Sequence, residues 1–180
     1  SMEELKKWYQ ELLDAYHKWI AYSLSWKKER NASMTDLQFP FPYREGQREI
    51  VSGVYHTVSS KKTLFVQAPT GVGKTMSAIF PSVRAIGEGK GETLFYLTVK
   101  TITGTVAWEA FHTLRENGLK FKVTAITAKE KLCFLDSPEC TPEKCPYAKG
   151  HFDRVNDAVY ELWTTEEVYS REVNRAHAEK

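Results

Sequence analysis

This chain of 180 residues has only three cysteines, all within positions 133–145. So few thiols in one short stretch, and an odd number of them, argue against a disulfide-stapled secreted scaffold. No apolar run approaches the ~20 residues needed to cross a bilayer, and no charged-then-apolar leader opens the sequence. A membrane-spanning protein is therefore excluded and a cytoplasmic one expected. The net charge is only +2, too small to announce a nucleic-acid partner, which would have to be argued from motifs. Set against these absences, 42% apolar residues and five tryptophans support one modest domain, or one and a fraction. Ser1 ahead of Met2 has the look of a cleavage scar, so the ends of the chain are not expected to be natural ones. The sequon Asn31-Ala-Ser33 is discounted, because a cytosolic chain does not meet the glycosylation machinery.

The most informative stretch is Ala-Pro-Thr-Gly-Val-Gly-Lys-Thr at 68–75. Ahead of it, the apolar run 63–68 reads as a buried parallel strand. After it, Met76, Ile79, Phe80, Val83 and Ile86 have helical spacing. Strand, glycine-bearing turn and helix make the context of a phosphate-binding loop. Gly71 and Gly73 free the backbone to turn successive N–H groups inward at an anion, and the positive end of the following helix dipole faces the same point. Thr70, Gly71, Val72, Gly73, Lys74 and Thr75 are thus the expected nucleotide-binding residues. Lys74 would reach the β- and γ-phosphates of ATP, and the Thr75 hydroxyl would hold Mg²⁺. Ala68 stands where the usual pattern has glycine, and the relaxed pattern arises by chance on the order of once in a hundred chains this long.

Elsewhere the spacing of Leu5, Trp8, Leu12, Tyr16, Trp19 and Trp26 predicts an N-terminal amphipathic helix over 1–30, its aromatic face packed on the main domain. The stretch 31–36 reads as a loop. An aromatic-proline run at 39–43 then leads to Arg44 and Gln47. The Gln47 amide could pair with an adenine edge while Tyr43 or Phe41 stacks on the ring, or the stretch could be an ordinary loop. Pro81, past the first turn of its helix, predicts a kink. Strands are expected at 93–98 and 121–127 with a helix at about 101–117 between them. This alternation predicts an α/β fold with a parallel sheet over 31–127. Loops at the carboxyl ends of such strands carry function, which puts Lys100 and Thr101 on the rim of the phosphate loop. Two helical stretches, about 153–163 and 166–180, close the chain.

Residues 128–180 open differently. Cys133, Cys140 and Cys145, spaced seven and five positions apart in a proline-bearing loop, have the irregular spacing of metal ligands. Iron–sulfur and structural zinc sites both want four ligands, and His151 and His177 could complete a zinc set. The chain also lacks the acidic residue that a nucleotide-hydrolysing P-loop protein carries at the end of another strand. None of its five aspartates, Asp14, Asp36, Asp136, Asp153 and Asp157, follows an apolar strand run. An isolated phosphate loop and an incomplete ligand set point together to the front end of a longer protein.

These motifs carry a resemblance. Phe-Pro-Tyr-Arg-Glu-Gly-Gln at 41–47, the loop at 68–75, Leu-Phe-Tyr-Leu-Thr-Val-Lys-Thr at 94–101 and the cysteine loop running through Cys145-Pro146 to Arg154 are similar to the XPD/DinG-like iron–sulfur helicases of superfamily 2, above all a bacterial DinG-like branch. The resemblance spans about residues 30–180. It implies a partial RecA-like motor domain with a Cys-rich, partly helical insertion, and a hydrolase that couples ATP to DNA unwinding, generally 5′ to 3′, in DNA repair. It also implies that Arg44 and Gln47 lie near the base and that Thr98, Lys100 and Thr101 touch single-stranded DNA. Cys133, Cys140 and Cys145 would be three ligands of a 4Fe-4S cluster whose fourth ligand, like the acidic motif, lies further along the parent chain. A fragment of this kind would be inactive alone, its cluster absent or incomplete, and its open sheet edge would favour self-association. Two other functions fit the residues, a self-contained small P-loop enzyme such as a kinase, and a zinc-stabilised interaction module.

Overall fold

The computed structural model describes residues 1–99, 101–135, 139–165 and 167–170, without the side chains at 101–103 and 129. Its helices are α1 (Met2–Asp36), α2 (Gln47–Ser59), α3 (Lys74–Gly87), α4 (Thr101–Glu116), α5 (Lys129–Leu132) and α6 (His151–Thr165). Two short strands, β1 (Val123–Thr124) and β2 (Val168–Tyr169), pair in parallel with Val123 opposite Val168. The chain forms two compact units, one of Ser1–Tyr22 with Lys122–Lys180 and one of Ser23–Phe121. These divisions fall at 22/23 and 121/122, whereas the sequence suggested 30/31 and 127/128. No helix among the described residues is long and apolar enough to cross a membrane.

In the unit 23–121, α3 is the central element. Met76, Ile79, Phe80, Val83 and Ile86 are all buried, at the three- and four-residue spacing of one helix face. Full burial of a side chain such as Ile79 contributes about 1.5–3 kcal/mol. Helix α2 packs along α3, and α4 adds Ala107, Ala110, Phe111 and Leu114. The chain remains helical through Pro81, whose ring is fully buried.

The expected loop at 31–36 is instead the last turns of α1. No proline or glycine interrupts 2–36. Ser33 Oγ donates to the Arg30 carbonyl at 2.8 Å, and Thr35 Oγ1 to that of Ala32 at 2.9 Å. Met34 is buried where α1 meets Gly87 of α3 so closely that a Cβ there would lie 2.5 Å from Met34 Cβ. Packing of this turn overrides the weak local helical preference.

The expected three-stranded sheet is also changed. The runs 63–68 and 93–98 are neither helix nor strand, and neither joins a ladder among the described residues. Alternation of the side chains survives: Phe65 and Leu97 are 93% and 88% exposed, against 41% for Leu64 and 38% for Tyr96. Leu64, Val66 and Tyr96 are themselves exposed, so one side of each run is only less open than the other, and 63–68 is not the buried strand that the sequence suggested. Within the third expected strand only Val123–Thr124 is assigned. It pairs with β2, where the sequence predicted a helix over 166–180. The Val123 amide donates to the Glu167 carbonyl at 2.9 Å, a partner that periodicity could not reveal. Position 166 and residues 171–180, with His177, lie outside the described residues.

In the other unit, the aromatic face of α1 finds α6 as its partner. Trp19 stacks on Trp163 at 5.3 Å, Tyr22 meets the same ring edge-on at 4.7 Å, and Lys18 lies 3.9 Å over Tyr160. Leu5, Trp8 and Leu12, nearer the start of α1, are exposed.

Candidate functional site

The turn between the 63–68 run and α3 is shaped by two glycines in the left-handed region, Gly71 at φ 86° and Gly73 at φ 81°. Gly73 is the N-cap of α3 and offers no side chain to the amides behind it. The first amides of any helix lack carbonyl partners within it, so those of α3 open onto the turn with the positive end of the dipole behind them. A Cβ on Gly73 would lie 2.5 Å from Gln47 Nε2, so a larger residue would have to displace that side chain as well as bear the left-handed dihedral angle.

Lys74 folds back over its own turn. Its Nζ donates to the carbonyls of Ala68 at 2.9 Å and Pro69 at 2.7 Å. The Lys74 side chain is thus already above the turn, on neutral acceptors that an anionic phosphate would outcompete. Thr75, half-buried, receives a hydrogen bond from Tyr96 Oη at 3.4 Å. Thr70 is exposed and Val72 half-buried on the turn itself.

Arg44 and Gln47 come to the same place from the other side. Gly46, at φ 71°, precedes α2, and the Gln47 amide donates to the Arg44 carbonyl at 3.1 Å. In return, the Arg44 amide donates to Gln47 Oε1 at 3.0 Å. The Arg44 guanidinium donates to the Gly71 carbonyl, and Gln47 is buried against Gly73. Both side chains therefore engage the loop backbone. The aromatic run beside them stacks on itself, Phe39 on Tyr43 at 4.4 Å, with Arg48 5.0 Å over Tyr43. With Tyr55, Pro81 and Arg84 these residues line an open groove of about 480 Å³ along α2 and α3, which Lys74 and Thr75 do not line.

Of the residues expected to meet single-stranded DNA, Thr98 is exposed on the same side of its run as Tyr96. Thr101 opens α4, its side chain outside the description, and Lys100 lies outside the described residues. The cysteines are not gathered. Cys133 is half-buried, Cys140 exposed and Cys145 buried, and no three metal-ligating side chains come together among the described residues. The Leu135 amide donates to Cys133 Sγ at 3.4 Å, and Phe134 meets Tyr147 at 5.0 Å, which joins the two ends of the cysteine loop.

No family model matches the chain, and no solved structure does. Over 47 residues, 26% of its length, it is 40% identical to a probable ATP-dependent helicase of Methanocaldococcus jannaschii. That stretch is similar to a helicase. It covers 7% of the archaeal protein, so the likeness extends to a small part of that relative.

The sequence singled out the turn at 68–75 and expected Arg44 and Gln47 near a base, whereas the structure has these two on the turn's backbone; the contact of Tyr96 with Thr75 was not foreseen. The signal was present in the alternation of Leu94, Tyr96 and Thr98, which would set all three on one face of a strand.

Proposed function

We propose that the chain carries the nucleotide- and single-strand-binding front part of an ATP-dependent DNA helicase of the iron–sulfur type, built on a RecA-like motor domain. The observation that supports this best is the turn at 68–75. Its two left-handed glycines, unpaired helix amides and overhanging lysine suit a polyphosphate. The stretch similar to a probable ATP-dependent helicase supports ATP as the nucleotide.

In this reading the α3 amides and Lys74 bind and orient the β- and γ-phosphates. Arg44 and Gln47 hold the loop open from behind. The donor set fits Mg²⁺, because a threonine hydroxyl and phosphate oxygens are the hard ligands that ion takes. Bound there, Mg²⁺ would neutralise charge on the phosphates. Hydrolysis needs a carboxylate to orient water, and no aspartate of this chain follows an apolar strand run, so that group belongs to another part of the parent protein. Thr98, Lys100 and Thr101 would contact the DNA backbone. Cys133, Cys140 and Cys145 would contribute to a 4Fe-4S cluster, although they gather no ligand set among the described residues.

Titration of the chain with a fluorescent ATP analogue tests the proposal. Saturable binding that ATP displaces, weakened at least about tenfold by Lys74→Ala through loss of a charge-assisted contact, is expected. No saturable binding, or binding indifferent to Lys74→Ala, would remove the nucleotide function.

A further inference from the structure

Three of the four side chains that the sequence offered for an adenine ring are engaged by the chain itself. An amide reads adenine by using both its ends at once, the oxygen accepting from N6 and the nitrogen donating to N7. Gln47 Oε1 instead accepts from the Arg44 amide at 3.0 Å, and the Gln47 amide returns a bond to the Arg44 carbonyl at 3.1 Å. The Gln47 side-chain nitrogen lies against Gly73, and the residue is only 4% exposed. The Arg44 guanidinium donates to the Gly71 carbonyl. Tyr43 is stacked on Phe39 at 4.4 Å and has the Arg48 guanidinium 5.0 Å over its ring. Phe41 alone of the four keeps an open ring, at 53% exposure. Stacking on such a ring favours no particular base, because every base offers a π-face.

The phosphate side of the turn is equipped differently. The first amides of α3 and Lys74 Nζ, which rests on the carbonyls of Ala68 and Pro69, are donors suited to an anion. A triphosphate is what all nucleoside triphosphates have in common.

We infer that this site recognises the triphosphate and not the base, so that its ligand class is nucleoside triphosphates at large, with ATP one member. Arg44 and Gln47 are positioning residues. They tie the turn at 44–47 to Gly71 and Gly73 and so hold the loop backbone around the phosphates. The inference rests on the nucleotide-binding reading of the loop. One bidentate pair between an amide and a base would favour that base by roughly fivefold to a hundredfold. No such preference is expected here.

The full chain, loaded with a fluorescent ATP analogue in Mg²⁺, would be titrated with ATP, GTP, CTP, UTP and inorganic tripolyphosphate. All five should displace the analogue, and the affinities of the four nucleotides should agree within about threefold, below what a bidentate pair confers. Gln47→Ala should weaken all four by one common factor of about three- to tenfold, the worth of one hydrogen bond. Should that variant fail to fold, Gln47→Glu keeps an oxygen for the Arg44 amide and removes the donor that adenine would need. It should leave the ratios among the nucleotides unchanged. A preference for ATP of about tenfold or more overturns the inference. So does either variant weakening ATP while sparing the other three, or tripolyphosphate that displaces nothing. If the analogue itself fails to bind saturably, the nucleotide-binding reading falls and takes the inference with it. Displacement by ATP alone leaves that reading standing and sinks only the claim that the base goes unread.

Discussion

At Gly73 two demands fall on one residue. The backbone there is left-handed, at φ 81° and ψ 34°, and the Gln47 amide occupies the space a Cβ would fill. An alanine at this position carries about 1–2 kcal/mol of left-handed strain, and it must also push Gln47 aside. Gly73→Ala should lower the melting temperature by a few degrees for a chain this size. It should also weaken nucleotide binding, because Gln47 would no longer hold Arg44 beneath Gly71. Thermal melting and analogue titration on the same samples check both. A variant that melts as wild type and binds as wild type would show that Gln47 has no hold on the loop.

Helix α1 shows how one long element is held by different means along its length. Over 23–36 it is anchored by buried Met34, by the close approach to Gly87 and by two exposed ion pairs. Lys27 Nζ lies 2.9 Å from Glu92 and Lys120 Nζ lies 2.7 Å from Glu29. The hydrogen bond from Lys120 holds the Glu29 carboxyl below the usual carboxylate range, and that from Lys27 does the same for Glu92. A lowered folded-state pKa stabilises fully above the unfolded value, and the contribution disappears as pH falls through the folded one. Melting temperature should therefore hold steady from neutrality to about pH 5 and decline below about 4.3, the ordinary glutamate value. Replacing Glu29 and Glu92 together by glutamine should flatten part of that decline. Because both pairs are exposed, the effect should be small and should diminish further in high salt. A double variant with an unaltered acid limb would mean that the pairs do not fasten α1.

For the whole molecule, the notable property is apolar surface without a cover. Phe65, Phe95, Leu97 and Val99 are exposed on stretches that join no ladder among the described residues. Parallel strands in α/β proteins are normally covered on both faces, and an open apolar edge is a template for another chain. Light scattering should show self-association that grows with concentration. Phe65→Lys and Leu97→Lys together should reverse it, since like charges on the open side oppose pairing. A strictly monomeric wild-type chain at high concentration would refute this. The glycine turn at 71–73 and the helix behind it were legible because a glycine-bearing motif and a strong 3.6-residue period are local properties of sequence. The sheet was much less so. Apolar alternation marks 63–68 and 93–98 as extended, but a ladder needs a partner, and partners are set by distant residues, as β1 and β2 show by pairing Val123 with Val168.

The order of residues by itself determined the left-handed turn at Gly71 and Gly73, the buried face of α3 and the clustering of thiols between 133 and 145, because each follows from neighbours within a few positions. Only the tertiary structure decided that α1 continues to Asp36, that Gln47 and Arg44 support the loop backbone, and that Tyr96 reaches Thr75. Those outcomes depend on contacts between residues far apart in the chain, whose energies no local pattern contains.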